Sequence, residues 1–179
     1  ASSTNNQAGR SLVLENGSTL QNLSTGNFIV FGAAGGGTTV DTGASVTINL
    51  ETSANVGGTG FFMDDGLKST GSDTTATVTI NVTNAGTGVI FRNDNTTFAG
   101  TMIVNGIASE TAGAGGGIGV SGSTTGLQNA DIQLNGTMEL KRKSGSLSWS
   151  GTNTLASTFQ MGALSGTGVM VGTTARSPV

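Results

Sequence analysis

Cysteine, histidine and tyrosine are absent from this 179-residue chain, and proline and tryptophan occur once each. Without cysteine there are no disulfides and no thiolate metal sites; without histidine the commonest metal ligand is missing too. Charge is also scarce. Only 9% of the residues are Asp, Glu, Lys or Arg, seven of them basic, and the net charge is -3. Nucleic-acid binding rests on neutralising phosphates, so this composition argues against such a partner. No apolar run reaches the roughly 18 residues that a membrane-spanning helix needs. Residues 1–6 lack the charged-then-apolar order of a signal peptide, so a mature product or an excised piece is expected. A cysteine-free chain also suits a bacterial surface protein that crosses a membrane unfolded.

What the chain does contain is glycine, 31 residues of it, together with 35% hydrophobic residues. The glycines do not recur every third position as collagen requires, and the apolar residues cluster, which argues against disorder. Val46, Ile48 and Leu50 alternate with Thr47 and Asn49, and Ala76, Val78, Ile80 and Val82 alternate with Thr77, Thr79 and Asn81. Residues 132–141 alternate likewise, with Ile132, Leu134, Met138 and Leu140 inward and Gln133, Asn135, Glu139 and Lys141 outward. Leu147 and Trp149 alternate with serines. Period-two alternation is the mark of a strand with one face in the core. Residues 11–15, 27–31, 60–63, 88–92 and 101–104 read as further short strands, closed by Gly or Asn.

Many short strands at even spacing predict an all-β fold: a parallel β-solenoid, with a β-sandwich as the alternative. Three points favour the solenoid. The turns use Asn, Gly, Ser and Thr rather than Pro. The outward positions carry Thr, Asn and Ser, which can form ladders between stacked coils. Charges are too few to protect the edges of an open sheet. Coils of roughly 20 to 25 residues, stacked about 4.8 Å apart, give a rod on the order of 40 Å long. Residues 32–39 and 109–122 are expected to bulge from corners, and the runs Gly35–Gly37 and Gly115–Gly117 to be flexible there. Domain organisation follows: a frayed or linking N-terminus over 1–10, one solenoid over 11–172, and a tail over 173–179.

Two stretches carry a resemblance. Leu127-Gln128-Asn129-Ala130-Asp131-Ile132-Gln133-Leu134-Asn135-Gly136, followed by Met161-Gly162-Ala163-Leu164-Ser165-Gly166-Thr167-Gly168-Val169, resembles the repeats of autotransporter passengers. Asn95-Thr96-Thr97-Phe98-Ala99-Gly100-Thr101-Met102-Ile103-Val104-Asn105-Gly106 resembles the companion passenger-associated transport repeat, with residues 86–91 as its leading strand. The resemblance covers residues 86–171, about half of the chain. It implies a right-handed parallel β-helix secreted to the bacterial cell surface.

Candidate sites are few. Asp64, Asp65 and Asp73 lie in an acidic stretch, without EF-hand or β-roll spacing, and read as a solvated loop rather than a calcium site. Glu51, Arg92, Asp94, Asp131, Glu139 and Lys141 are the outward charges available to a polysaccharide-cleaving groove. No pair among them can be placed at the separation a glycosidase needs. Thr77, Thr79 and Asn81 offer a polar surface contact. Their Thr-x-Thr resembles the faces of ice-binding solenoids, but it occurs once rather than in ranks, and ordinary β-propensity explains it better. Lys141, Arg142 and Lys143, the one basic cluster, suit an anionic polysaccharide or lipid surface, or simply a corner kept soluble. The glycine runs lack the Lys-Ser/Thr and following helix of a phosphate loop.

The expectation is therefore an extracellular structural or adhesive solenoid without catalysis, cofactor or metal, serving as a stiff stalk or a self-associating filament subunit. Its partners are further copies, end to end or lateral, or a glycan or cell-surface ligand. The alternative is a polysaccharide-binding or polysaccharide-cleaving β-helix.

Overall fold

The computed structural model describes residues 12–22, 29–31, 37–50, 60–63, 67–92, 97–111, 114–121, 127–141, 161–171 and 176–178. The strand expected at Leu147 and Trp149 and the termini at 1–10 lie outside them.

The chain is a parallel β-solenoid whose circuits stack into three sheets, the first of which, among the described residues, carries strands only in the first three circuits. The first circuit holds β1 (Leu12–Leu14), β2 (Thr19–Asn22) and β3 (Ile29–Phe31). The second holds β4 (Thr38–Val40), β5 (Ser45–Leu50) and β6 (Gly60–Met63), and the third β7 (Leu67–Ser69), β8 (Thr77–Val82) and β9 (Gly88–Arg92). In the fourth circuit Thr97 makes a parallel bridge to Lys68, followed by β10 (Thr101–Asn105) and β11 (Gly117–Ser121). The fifth starts at Leu127, bridged to Met161, and continues as β12 (Asp131–Asn135) and β13 (Thr137–Lys141). The sixth holds β14 (Leu164–Ser165) and β15 (Val169–Val171). Within the 173–179 segment, β16 (Arg176–Pro178) turns back and pairs antiparallel with β15. All other pairings between these strands are parallel. No helix among the described residues is long and apolar enough to cross a membrane.

The alternation seen in the sequence becomes a column of side chains. Val46, Val78, Met102 and Ile132 stack in one inward row of the second sheet, and Ile48, Ile80, Val104 and Leu134 in the next. All eight are buried. Val89, Phe91, Ile118, Val120, Met138 and Leu140 meet them from the third sheet, and Leu14, Val40 and Leu67 from the first. Such short strands are not stable singly, so each rung depends on this shared core.

Corresponding residues of neighbouring circuits are 24 to 32 positions apart along the second sheet. The coil from β8 to β10, at 24 residues, falls within the 20 to 25 expected, and the other four are longer. Six rungs at the usual strand spacing span about 24 Å, well short of the expected rod.

Four local expectations are corrected. Residues 109–122 do not simply bulge, because β11 begins at Gly117. Between β10 and β11 the chain makes one short excursion, closed by paired bonds between Ile107 and Gly116 (3.1 and 2.9 Å). Nor are Gly115–Gly117 flexible; all three are buried. They are glycines because the Thr137 side chain lies against Gly115 and backbone lies against Gly116 and Gly117. A Cβ on Gly117 would come within 2.2 Å of the Thr137 carbonyl oxygen, and one on Gly116 within 2.7 Å of that of Asn84. Glu139, expected in water, is 1% exposed. Its outward row runs through Ile90, Gly119 and Val171, and that side of the third sheet is covered around it. Finally, the acidic stretch 64–73 is not one loop, since it contains β7 and a 3-10 turn at Thr70–Ser72.

Candidate functional site

The outward face of the second sheet is the most ordered polar surface of the molecule. Its strands run in register, so residues of like parity form rows along the rod. One row is Ser45, Thr77, Thr101 and Asp131. The next is Thr19, Thr47, Thr79, Ile103, Gln133 and Ser165. The third is Gln21, Asn49, Asn81, Asn105 and Asn135. Thr77, Thr79 and Asn81, singled out from the sequence, thus occupy the same strand at the middle of three rows. The isolated Thr-x-Thr expected there is not isolated. Ser45 and Thr47 flank it on one side, and Thr101 flanks it on the other.

The asparagine row is bonded side chain to side chain. The Asn81 amide donates to Asn49 Oδ1 (2.9 Å), Asn105 donates to Asn81 Oδ1 (3.0 Å), and Asn135 donates to Asn105 Oδ1 (3.1 Å). All three bonds point towards the N-terminal end. Each interior amide is both donor and acceptor, which lets such a chain polarise and strengthen itself. Asn49 and Asn81 are half-buried, so part of the desolvation that would weaken an exposed bond in water is already met.

A second set of cross-coil bonds fixes the corner between the first and second sheets. Asn16 Oδ1 accepts the Ser45 N–H (2.9 Å) from the following circuit. Asp73 reaches back to the preceding one, where it accepts the Gly43 N–H (3.0 Å). It also accepts from the Thr75 hydroxyl (2.7 Å) and from the N–H groups of Thr75 and Ala76. The Gly43 N–H and the Thr75 hydroxyl lower the pKa of Asp73 below the ordinary carboxylate value. Asp131 Oδ1 accepts the Ala163 N–H (3.0 Å). The carboxylates at 73 and 131 thus accept backbone N–H bonds between circuits.

Of the other sequence candidates among the described residues, Asp131 stands on this face and Glu139 does not. Lys141 ends β13 in the third sheet; its side chain, with Arg142 and Lys143, lies outside the described residues, as do Glu51, Asp64, Asp65, Asp94 and the Arg92 side chain. Asp131 and Glu139 stand on different sheets. Among the described residues, no three of His, Cys, Asp or Glu gather to hold a metal ion. The sequence reading expected outward Thr, Asn and Ser to form ladders between coils, but not which asparagines share a row, although a signal existed. Val46-Thr47-Ile48-Asn49 and Val78-Thr79-Ile80-Asn81 are the same tetrapeptide, and an apolar residue followed by Asn recurs at 104–105 and 134–135.

The chemistry of the face is thus hydrogen bonding by hydroxyls and amides. No family model, curated protein or solved structure matches the chain.

Proposed function

We propose that this chain is a structural or adhesive β-solenoid of a bacterial surface protein, acting outside the cell as a stiff stalk or as a subunit that stacks on further copies of itself. The observation that carries this reading is the distribution of incompletely covered core. The partly buried apolar residues packed on the core are Leu12 and Leu20 in the first circuit and Met161, Leu164 and Met170 in the sixth. Among the described residues the column is buried through its middle circuits and only partly covered in the first and sixth, where β16 borders the third sheet alone. This suits a segment that stacks axially on further rungs. The resemblance of residues 86–171 to autotransporter passengers supports the location. The two motifs also occupy neighbouring circuits, with Thr101 opposite Asp131 and Asn105 opposite Asn135.

The reading is non-catalytic. Its one observed extension is the three-row polar face, whose repeat along the rod supports many weak hydrogen bonds to a neutral glycan. Sedimentation and negative-stain electron microscopy across a concentration series test the axial reading. Short rods that lengthen in whole-chain steps support stacking; monodisperse compact particles at every concentration leave the stalk and remove the filament. Retention on insoluble glycans, lost on Thr77→Lys with Thr79→Lys, tests the adhesive extension.

A further inference from the structure

Three Asn-Gly pairs occur in the chain, Asn16–Gly17, Asn105–Gly106 and Asn135–Gly136, and two of them lie on the asparagine row. An Asn-Gly pair is chemically labile because the glycine nitrogen, with no neighbouring Cβ in the way, can attack the asparagine side-chain carbon. A bond forms between the Gly N and the Asn Cγ, the Cγ–Nδ2 bond breaks, and ammonia leaves with the glycine N–H proton. Water then opens the resulting succinimide at either carbonyl, leaving aspartate or isoaspartate.

The fold treats the three pairs differently. At Asn16 both reacting groups are tied to one residue of the next circuit. Its Oδ1 accepts the Ser45 N–H (2.9 Å), while the Gly17 N–H donates to the Ser45 carbonyl (2.9 Å). At Asn105 both ends of the amide are engaged, donating to Asn81 and accepting from Asn135. Asn135 ends the row of amide bonds. Its amide donates to Asn105. The sixth circuit bonds the backbone on either side, Gly168 N–H to the Leu134 carbonyl and Val169 N–H to the Gly136 carbonyl. But β14 stops at Ser165, opposite Gln133, so among the described residues no further amide continues the row beyond Asn135.

We propose that Asn135 is a deamidation site of the folded protein, and that the cross-coil bonds hold Asn16 and Asn105 back. The product matters for the rod. Aspartate at 135 has no N–H to offer Asn105 Oδ1. Isoaspartate adds a backbone methylene just before Gly136, where there is no slack. A Cβ at Gly136 would already lie 2.7 Å from the Gly116 carbonyl oxygen and 2.9 Å from the Gly106 Cα. Modification at 135 therefore loosens the fifth and sixth circuits first.

The test is a time course in mildly alkaline buffer, with peptide mapping by mass spectrometry, on the native chain and on the same chain unfolded in urea. Unfolded, the three sites convert at similar rates. Native, Asn135 converts first, with Asn105 and Asn16 slower by roughly fivefold for each additional hydrogen bond retained. Asn105→Ala, which strips Asn135 of its acceptor, speeds conversion at 135 in the native chain. Equal native and unfolded rates at all three sites overturn the proposal, and so does conversion of Asn16 or Asn105 ahead of Asn135.

Discussion

The Asn81 amide donates to Asn49 Oδ1 at 2.9 Å, a partner 32 positions back in the chain. This single bond ties two circuits in one register. A slip by one residue would set Asn81 against Ile48 or Leu50 and turn every core side chain of β8 outward. The row therefore reports register as well as contributing stability.

Asn81→Ala removes two side-chain bonds of the row. A loss of about 2 kcal/mol in urea unfolding is expected, at about 1 kcal/mol for each bond. Asn81→Asp loses more at neutral pH, because its carboxylate faces the Asn49 Oδ1 with no proton to give, and it regains part of that loss on acidification.

Thr38 offers the opposite test. It is 1% exposed, and its Oγ1 has no hydrogen-bond partner among the described residues. A buried hydroxyl without a partner costs free energy, so Thr38→Val, nearly the same shape, is expected to stabilise the fold by about 1 kcal/mol. Thermal and urea midpoints both rise if so.

Asp73 sets an acid limb. Its carboxylate pKa lies lower in the folded chain than in the unfolded one, because the Gly43 N–H and the Thr75 hydroxyl favour the charged form. Its contribution is therefore complete above the unfolded pKa, about 3.9, and is lost as pH falls through the lower folded value. Asp73→Asn flattens stability over that acid range and leaves the dependence above it unchanged, as unfolding curves at stepped pH would read.

The glycine contacts make a sharp pair of mutants. Gly117→Ala forces a Cβ against the Thr137 carbonyl and is expected to cost about 3 kcal/mol or to prevent folding. Gly71→Ala meets nothing within 4 Å and carries only the strain of its positive φ of 56°, a cost of about 1 kcal/mol. Similar losses for the two would remove the packing explanation.

Much of the core was legible in the sequence. Val46, Ile48 and Leu50 and then Val78, Ile80 and Val82 alternate cleanly, because one face of each strand meets apolar neighbours and the other meets water. The same rule failed at Glu139, because its outer face is covered. It failed again at Gly117–Ser121, where glycines needed for close backbone approach resemble a flexible loop. The polar rows were the least legible. Register between circuits 24 to 32 residues apart is set by the lengths of intervening excursions, and alternation within one strand says nothing about them. The repeated Val-Thr-Ile-Asn was the one local trace of that register.

The axial stack of circuits is the relationship from which the rows, the partly covered end circuits and the proposed role all follow. Because the chain has no native cysteine, spin labels can be placed in pairs along one row, at Thr19 with Ile103 and at Thr19 with Ser165. Three and five rung spacings predict backbone separations of about 14 Å and about 24 Å, each as a single narrow distribution once the label arms are allowed for. Separations that do not grow from the first pair to the second, or broad overlapping distributions, would contradict the stack.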